Sequence, residues 1–373
     1  MENIFETRIA KLQSRIANND LDLVAITAGP SQVYFSGLHF HVSERPAVLL
    51  IAAKDKPAFI FPGFEAEKAT QAPLNVDAFP YQESHTDWVD TFGRAINHFG
   101  DGITRIGVEP TAMRYLEMDL LTSQNKGISF RSAAMMIEAL RASKDEVEIS
   151  HIRSAIHIAQ TALEKTLPAI KPGITEKEIA NQLVINLLQE GSDPDLPFLP
   201  IVASGPNSAN PHAIPGERAL AEGDLLIIDW GARYQGYISD ITRTFAIGSI
   251  SPQLEEIYQV VLSANQAARS LLATKYTGKV IDDAARGVIS NAGYSEEFLH
   301  RTGHGFGLEP HEPPYISADN TDVIQPGATF TIEPGIYLNR VGGVRIEDDM
   351  RAVDGKLETL TTLDRKLTIL HGA

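Results

Sequence analysis

There is no cysteine among the 373 residues of the chain. That absence excludes a disulfide framework, thiolate zinc sites and a cysteine nucleophile, leaving oxygen and imidazole as the only ligands for any metal. Hard or borderline ions are implied. Basic residues are in short supply as well, with 32 Lys and Arg against 48 Asp and Glu, a formal net charge of -16. Binding to a phosphate backbone would be opposed electrostatically, so nucleic acid is not an expected partner. No apolar run reaches the ~20 residues of a membrane span, and MENIFETRIAKLQSRI lacks the apolar core of a signal peptide. A cytoplasmic protein with no membrane partner is expected. Low-complexity tracts and short repeats are missing too.

A chain this long exceeds one ordinary core. Phe5, Ile9, Leu12 and Ile16 recur at helical spacing, and the short apolar runs LVAIT (23–27), AVLLIAA (47–53) and AFIF (58–61) read as buried strands. With RIGVE (105–109) and a helix from about Tyr115 to Ser123, residues 1–135 form a compact α/β unit. A second domain, 141–373, opens where Ser143-x-x-Glu146 forms a capping-box signature ahead of Ile149, Ile152, Ile156 and Leu163. Thr175-x-x-Glu178 and Ser251-Pro252 start further helices, and hairpins rich in Thr, Ile and Val lie between them. The class is α+β, and the helix-then-hairpin order occurs twice.

Five metal-ligand candidates stand in that second domain: Asp229 in IIDWG, Asp240 in SDITRTF, His304 in TGHGFG, Glu333 in IEPGIY and Glu347 in VRIEDD. A hairpin turning at Tyr234-Gln235 would set Asp229 opposite Asp240, and one turning near Arg340 would set Glu333 opposite Glu347. Like charges in such positions destabilise a sheet, and a cation resolves the conflict. Glycines on both sides of His304 let the backbone approach closely and leave the imidazole free to point at a ligand. Arg345, two residues before Glu347, shares its sheet face and adds a cation that can position a carboxylate or a substrate oxygen. Two divalent cations would balance the four carboxylates. Carboxylate with imidazole suits manganese, cobalt, zinc or iron(II) without choosing among them.

These residues resemble the M24 metallopeptidase family with the pita-bread fold, which includes methionine aminopeptidase, aminopeptidase P and prolidase and has the ligand order Asp, Asp, His, Glu, Glu. The segments SGPNSANPHAIP, HRTGHGFGLEPHEPP, TIEPGIY and VRIEDD look like the subgroup acting on Xaa-Pro bonds. VYFSGLHFHVSERPAVLL (33–50) resembles the creatinase/prolidase N-terminal domain. The resemblance implies a C-terminal pita-bread catalytic domain behind a smaller α/β domain. It implies two divalent ions per subunit, manganese first, with Asp240 and Glu347 bridging them, Asp229 completing one site and His304 with Glu333 the other. The implied activity is a metal-dependent exopeptidase that hydrolyses Xaa-Pro bonds, in dipeptides or at peptide N-termini, by a water shared between the metals.

In that reading Glu333 shuttles the proton, His212 and His311 contact substrate and stabilise the tetrahedral intermediate, His300 lies in the substrate pocket, and Arg345 orients Glu347 or substrate. Some microbial prolidases carry, four residues after the position of His311, an Arg that binds a dipeptide's carboxylate; here that residue is Tyr315. This departure argues against a strict dipeptidase. Relatives also imply a homodimer in which His39, His41 or Arg45 closes a neighbour's pocket. Two alternatives stay open: hydrolysis of another small amide, and an inactive relative that binds peptides or proteins.

Overall fold

The computed structural model describes residues 3–70, 73–272 and 275–370, in two compact units that divide between Arg141 and Ala142. The first unit carries α1 (Ile4–Ala17), β1 (Leu23–Thr27), α2 (Pro30–Ser36), β2 (Val48–Ala52), β3 (Ala58–Pro62), α3 (Ala66–Thr70), β4 (Asp77–Tyr81), α4 (His85–Asn97), β5 (Arg105–Val108), α5 (Tyr115–Thr122), β6 (Ser129–Ser132) and α6 (Ala134–Arg141). One mixed sheet runs β4-β3-β2-β1-β5-β6. Every residue of β1, β2 and β3 is buried, the pattern of strands covered on both faces, which is why these segments read as unbroken apolar runs. Leu23, Val48, Ile60, Phe92 and Ile106 share one core, while α1 buries Ile9, Leu12 and Ile16.

The second unit begins with α7 (Glu146–Thr166) and α8 (Glu176–Gln189), then β7 (Ile201–Ser204), β8 (Leu225–Trp230), β9 (Arg233–Tyr234), β10 (Tyr237–Ile238) and β11 (Ile241–Ile247). After α9 (Pro252–Arg269) and α10 (Gly278–Asn291) come β12 (Gly303–Gly305), β13 (Glu312–Ile316), β14 (Thr329–Ile332), β15 (Gly335–Leu338), β16 (Gly342–Arg345), β17 (Asp348–Val353), β18 (Lys356–Thr359) and β19 (Thr368–Leu370). Two sheets result, β19-β11-β8-β7 and β13-β12-β14-β17-β18, with the ribbons β9-β10 and β15-β16 beside them. Leu254, Ile257 and Val261 of α9 share a core with Ile332, Ile336 and Val344 of the strands. Each such side chain contributes roughly 1.5–3 kcal/mol on burial. No helix among the described residues is long and apolar enough to cross a membrane.

Helix starts follow the capping chemistry, with one shift. Thr175 and Glu178 form the expected box and Ser251 caps α9, but α7 is capped by Asp145 with Glu148, not by Ser143 with Glu146. Aspartate at 145 accepts from the backbone N–H of both Val147 and Glu148, and Ser143 instead donates to the Pro326 carbonyl.

The first hairpin also departs from expectation. Asp229 stands opposite Thr242, not Asp240, because the two-residue loop is Gln235-Gly236, both with positive φ (52° and 81°). Such a loop favours glycine at its second position, and its twist matches the flanking strands. The displacement is two residues, so both aspartates stay on one face, diagonal to each other. The second hairpin turns at Arg340 (φ 62°) and keeps the expected register, with Gly335 opposite Arg345 and Ile332 opposite Asp348.

Candidate active site

All five ligand candidates, with His212, His300, Arg301, His311 and Arg345, line one cavity of about 380 Å³ in the second unit. Asp229 sits near the end of β8, Asp240 between β10 and β11, and His304 at the centre of β12; Glu333 follows β14 and Glu347 precedes β17. Asp240, His304 and Glu347 offer ligand atoms within 4.8 Å of one another. His304 Nε2 lies 3.2 Å from Glu333 Oε1 and 3.7 Å from Asp240 Oδ2. Its Nδ1 lies 3.2 Å from the Gly305 carbonyl, a contact that orients the ring so that Nε2 faces the carboxylates. A Cβ on Gly303 would overlap the Thr331 carbonyl and one on Gly305 the carbonyls of Glu312 and Pro313, so only glycine lets β12 present its imidazole at this depth.

Electrostatically the cluster is unsatisfied by itself. Burial, then the neighbouring carboxylates, push Asp240 and Glu347 well above the usual carboxylate range, and burial raises Asp229 although Arg345 opposes it. Burial would raise Glu333 as well, but its hydrogen bond and charge pairing with His304 bring it down to about 2. The Oδ1 atom of Asp229 is buried with no hydrogen-bond partner. An orphaned carboxylate oxygen facing other acids in one pocket is what a bound cation would satisfy. The donor set therefore fits divalent metal.

The expected substrate residues lie around this centre. His311 packs edge-on against His304 with ring centroids 4.2 Å apart, and burial, followed by the charges of His304 and Arg301, lowers it to about 4. It is neutral at neutral pH. His300 is half-buried, hydrogen-bonded through Nε2 with the Tyr337 hydroxyl at 2.8 Å, and burial lowers it too. His212 is exposed at the cavity wall. Arg345 does not bond Glu347. Its Nη2 donates to Asp229 Oδ2 at 2.6 Å, its Nη1 to the Tyr337 hydroxyl and the Pro211 carbonyl, and its Nε to Thr242 Oγ1. Thr242 in turn donates to Glu347, so the guanidinium reaches that carboxylate only through a hydroxyl.

Residues 150–354 match the model of metallopeptidase family M24, and residues 8–143 match the creatinase/prolidase N-terminal domain. The chain belongs to the M24 metallopeptidases. An uncharacterized peptidase of Bacillus subtilis, YqhT, is 35% identical over 97% of this chain and 100% of its own. The solved prolidase of Thermococcus sibiricus shares 33% identity with a TM-score of 0.92, covering 99% of this chain and 100% of that one. The X-Pro aminopeptidase of Thermotoga maritima shares 32% with a TM-score of 0.84, over 97% and 99%. The protein is thus a metallopeptidase with a creatinase-type N-terminal domain and a pita-bread C-terminal domain, in a family that works with divalent metals.

Several residues that support this M24 centre were not singled out from sequence. Tyr337 is one: it stands opposite Gly343, diagonal to Arg345 on the same face, so the hairpin register already implied the contact. The acids after Glu347 point elsewhere. Asp348 receives Arg243, Arg269 and Arg365, and Asp349 accepts the backbone N–H of Asp240 at 3.1 Å, fixing the loop that carries that ligand. On α10, Asp282 accepts from Thr302 Oγ1 at 2.7 Å and pairs with Arg286, whose Nη2 donates to the His300 carbonyl at 2.9 Å. That fork anchors the segment leading into His304. No local motif marks it.

Proposed function

We propose that this metallopeptidase is an exopeptidase that hydrolyses the Xaa-Pro bond, in dipeptides or at the N-terminus of short peptides. The observation that carries the reading is the convergence of the five ligand candidates with His212, His300 and His311 on one cavity. Its volume is at the low end of small-molecule pockets, ~300–1,000 Å³, a size suited to a di- or tripeptide. Asp229, Asp240, His304, Glu333 and Glu347 would hold the divalent ions. Bound there, divalent ions supply Lewis acidity, lowering the pKa of a water toward neutrality and polarising the peptide carbonyl. Glu333, already ionised beside His304, accepts a proton and passes it to the departing prolyl nitrogen. His311, which is neutral, and His212 donate hydrogen bonds to the oxygen on which negative charge develops. Arg345 holds Asp229 and Tyr337, so that one carboxylate oxygen stays free for a cation.

Manganese as the native metal, a cytoplasmic setting and a homodimer complete the proposal, with no nucleic acid or membrane partner. The deciding experiment is a panel of Xaa-Pro dipeptides, Xaa-Pro-Yaa tripeptides and matched non-proline peptides after reconstitution with manganese, cobalt or zinc. Cleavage confined to the proline series is expected. Stoichiometric metal uptake without any such cleavage would reject the substrate class, and sedimentation as a monomer would reject the dimer.

A further inference from the structure

The cavity wall holds two guanidinium groups, Arg301 and Arg345, and they are in opposite states. Every nitrogen of Arg345 is engaged, by Asp229, Tyr337, Pro211 and Thr242. Arg301 is not: among the described residues no acceptor is matched to its guanidinium, which lies over the Tyr315 ring with Cζ 4.4 Å from the centroid. Stacking fixes the plane of a guanidinium without consuming its N–H donors. The backbone beneath is fixed as well. The Arg301 carbonyl lies 2.8 Å from His300 Nδ1, Thr302 is held by Asp282, and Asn320 donates to the Tyr315 carbonyl. A half-buried cation with an oriented plane and open donors, on the wall of a substrate cavity, is prearranged for a planar anion.

Charge points the same way. Two divalent ions would neutralise the four carboxylates of the centre, so both guanidinium groups add net positive charge to the wall, and Arg345 has its donors engaged whereas Arg301 has its own open to bound peptide. We propose that Arg301, stacked on Tyr315, is a specificity-determining residue that receives a carboxylate of the substrate. In an Xaa-Pro dipeptide the terminal carboxylate is attached directly to the prolyl ring, within reach of a wall beside the scissile bond. An acidic side chain on the residue before proline is the other source of the same group. The inference rests on the peptidase reading for the substrate but not for the binding event.

The test uses metal-loaded full-length enzyme, comparing wild type with Arg301→Met and Arg301→Lys, each checked for native melting. Calorimetric titration with proline and prolinamide reads carboxylate recognition without turnover. Proline should bind roughly 10- to 100-fold more tightly than its amide, the range for a charge-assisted pair; Arg301→Met should erase that ratio and Arg301→Lys keep part of it. In kinetics the same substitution should raise KM for Leu-Pro over Leu-Pro-amide, with a smaller effect on kcat. A preference for Asp-Pro-amide over Asn-Pro-amide that Arg301→Met removes would assign the carboxylate to the preceding side chain instead. Equal binding of proline and prolinamide together with equal use of both peptide pairs overturns the inference, as does discrimination that persists in Arg301→Met. Proline discrimination in an enzyme that cleaves no Xaa-Pro peptide would uphold the carboxylate site and reject the peptidase reading.

Discussion

Replacing Asp240 with Asn should invert its effect on stability according to whether metal is present. Asp240 and Glu347 offer ligand atoms within 4.8 Å of each other. Two carboxylate charges at that spacing repel by about 3.5 kcal/mol at an effective dielectric of ~20. In chelator the cluster either bears this repulsion or escapes it by taking up protons, and a neutral amide of the same shape removes it in both cases. Chelated Asp240→Asn should therefore be more stable than chelated wild type by on the order of 1–3 kcal/mol, a melting rise of roughly 2–4 °C per kcal/mol for a domain of this size. With manganese at ~100 times Kd, wild type should gain about 2.7 kcal/mol per site occupied, whereas the variant lacks one of the proposed ligands and should gain little. Scanning calorimetry of the four samples in one buffer reads the order directly. If Asp240→Asn melted below wild type in chelator and still showed the full metal-induced rise, the view of this cluster as a strained anion site relieved by cations would fail.

Other consequences are equally direct. Because the folded pKa values of Asp240 and Glu347 are raised in the absence of metal, their contribution favours the fold fully below the unfolded value near 4 and is lost as pH climbs through the folded values. Urea denaturation from about pH 4 to 7 should show the gap between metal-loaded and metal-free protein widening with pH; a narrowing gap would contradict this. Arg345→Lys keeps the charge but not the fork to Asp229, Tyr337 and Thr242, and should weaken metal affinity by roughly 10- to 100-fold in a competitive chelator titration. Asp282→Ala leaves Arg286 facing a vacated buried site and frees Thr302, so urea denaturation should register a loss of about 3–5 kcal/mol, accompanied by weaker metal binding; a loss under 1 kcal/mol would show that α10 does not anchor the His304 segment.

What could be read from sequence divides along the range of the interaction. Strands such as LVAIT and the helices capped at Thr175 and Ser251 are set by local chemistry and emerged with nearly correct ends. The Asp229 hairpin did not, because Tyr-Gln-Gly-Tyr admits two turn centres, and the choice depends on which residues take positive φ. The ligand candidates were legible since buried-looking strands carrying mirrored acids contradict ordinary sheet chemistry. Their supports were hidden. Asp282 meets Thr302 across 20 residues, and Asp349 meets the Asp240 backbone across 109; neither pair has a periodicity or motif to announce it. Arg301 was overlooked for a different reason: its significance lies in what fails to bond it, which only the surrounding atoms reveal.

The second hairpin shows why the acids meet at all. Strands β14 with β17, and β15 with β16, follow one continuous register, yet they belong to different sheets and the ladder breaks at Glu333-Pro334 opposite Ile346-Glu347. Proline at 334 has no N–H to donate, so the ladder loses a bond there in any case. The Ile346 N–H still reaches the Pro334 carbonyl at 3.4 Å across the break, so Glu333 and Glu347 form a pair whose N–H groups point outward: that of Glu333 bonds the Thr302 carbonyl at 2.8 Å and that of Glu347 the Thr242 carbonyl at 3.1 Å. One stitch ties Glu333 to the strand that carries His304, the other ties Glu347 to the strand paired with Asp229. The two stitches thus bring the opposed acids to the strands that carry His304 and Asp229, and Pro334→Ala, whose new N–H would face the Ile346 carbonyl already bonded by Asn265, should leave the Glu333 contact in place. Unchanged metal affinity in a competitive chelator titration is the expected signature, and a clear loss of affinity would show that the Glu333 stitch depends on the proline.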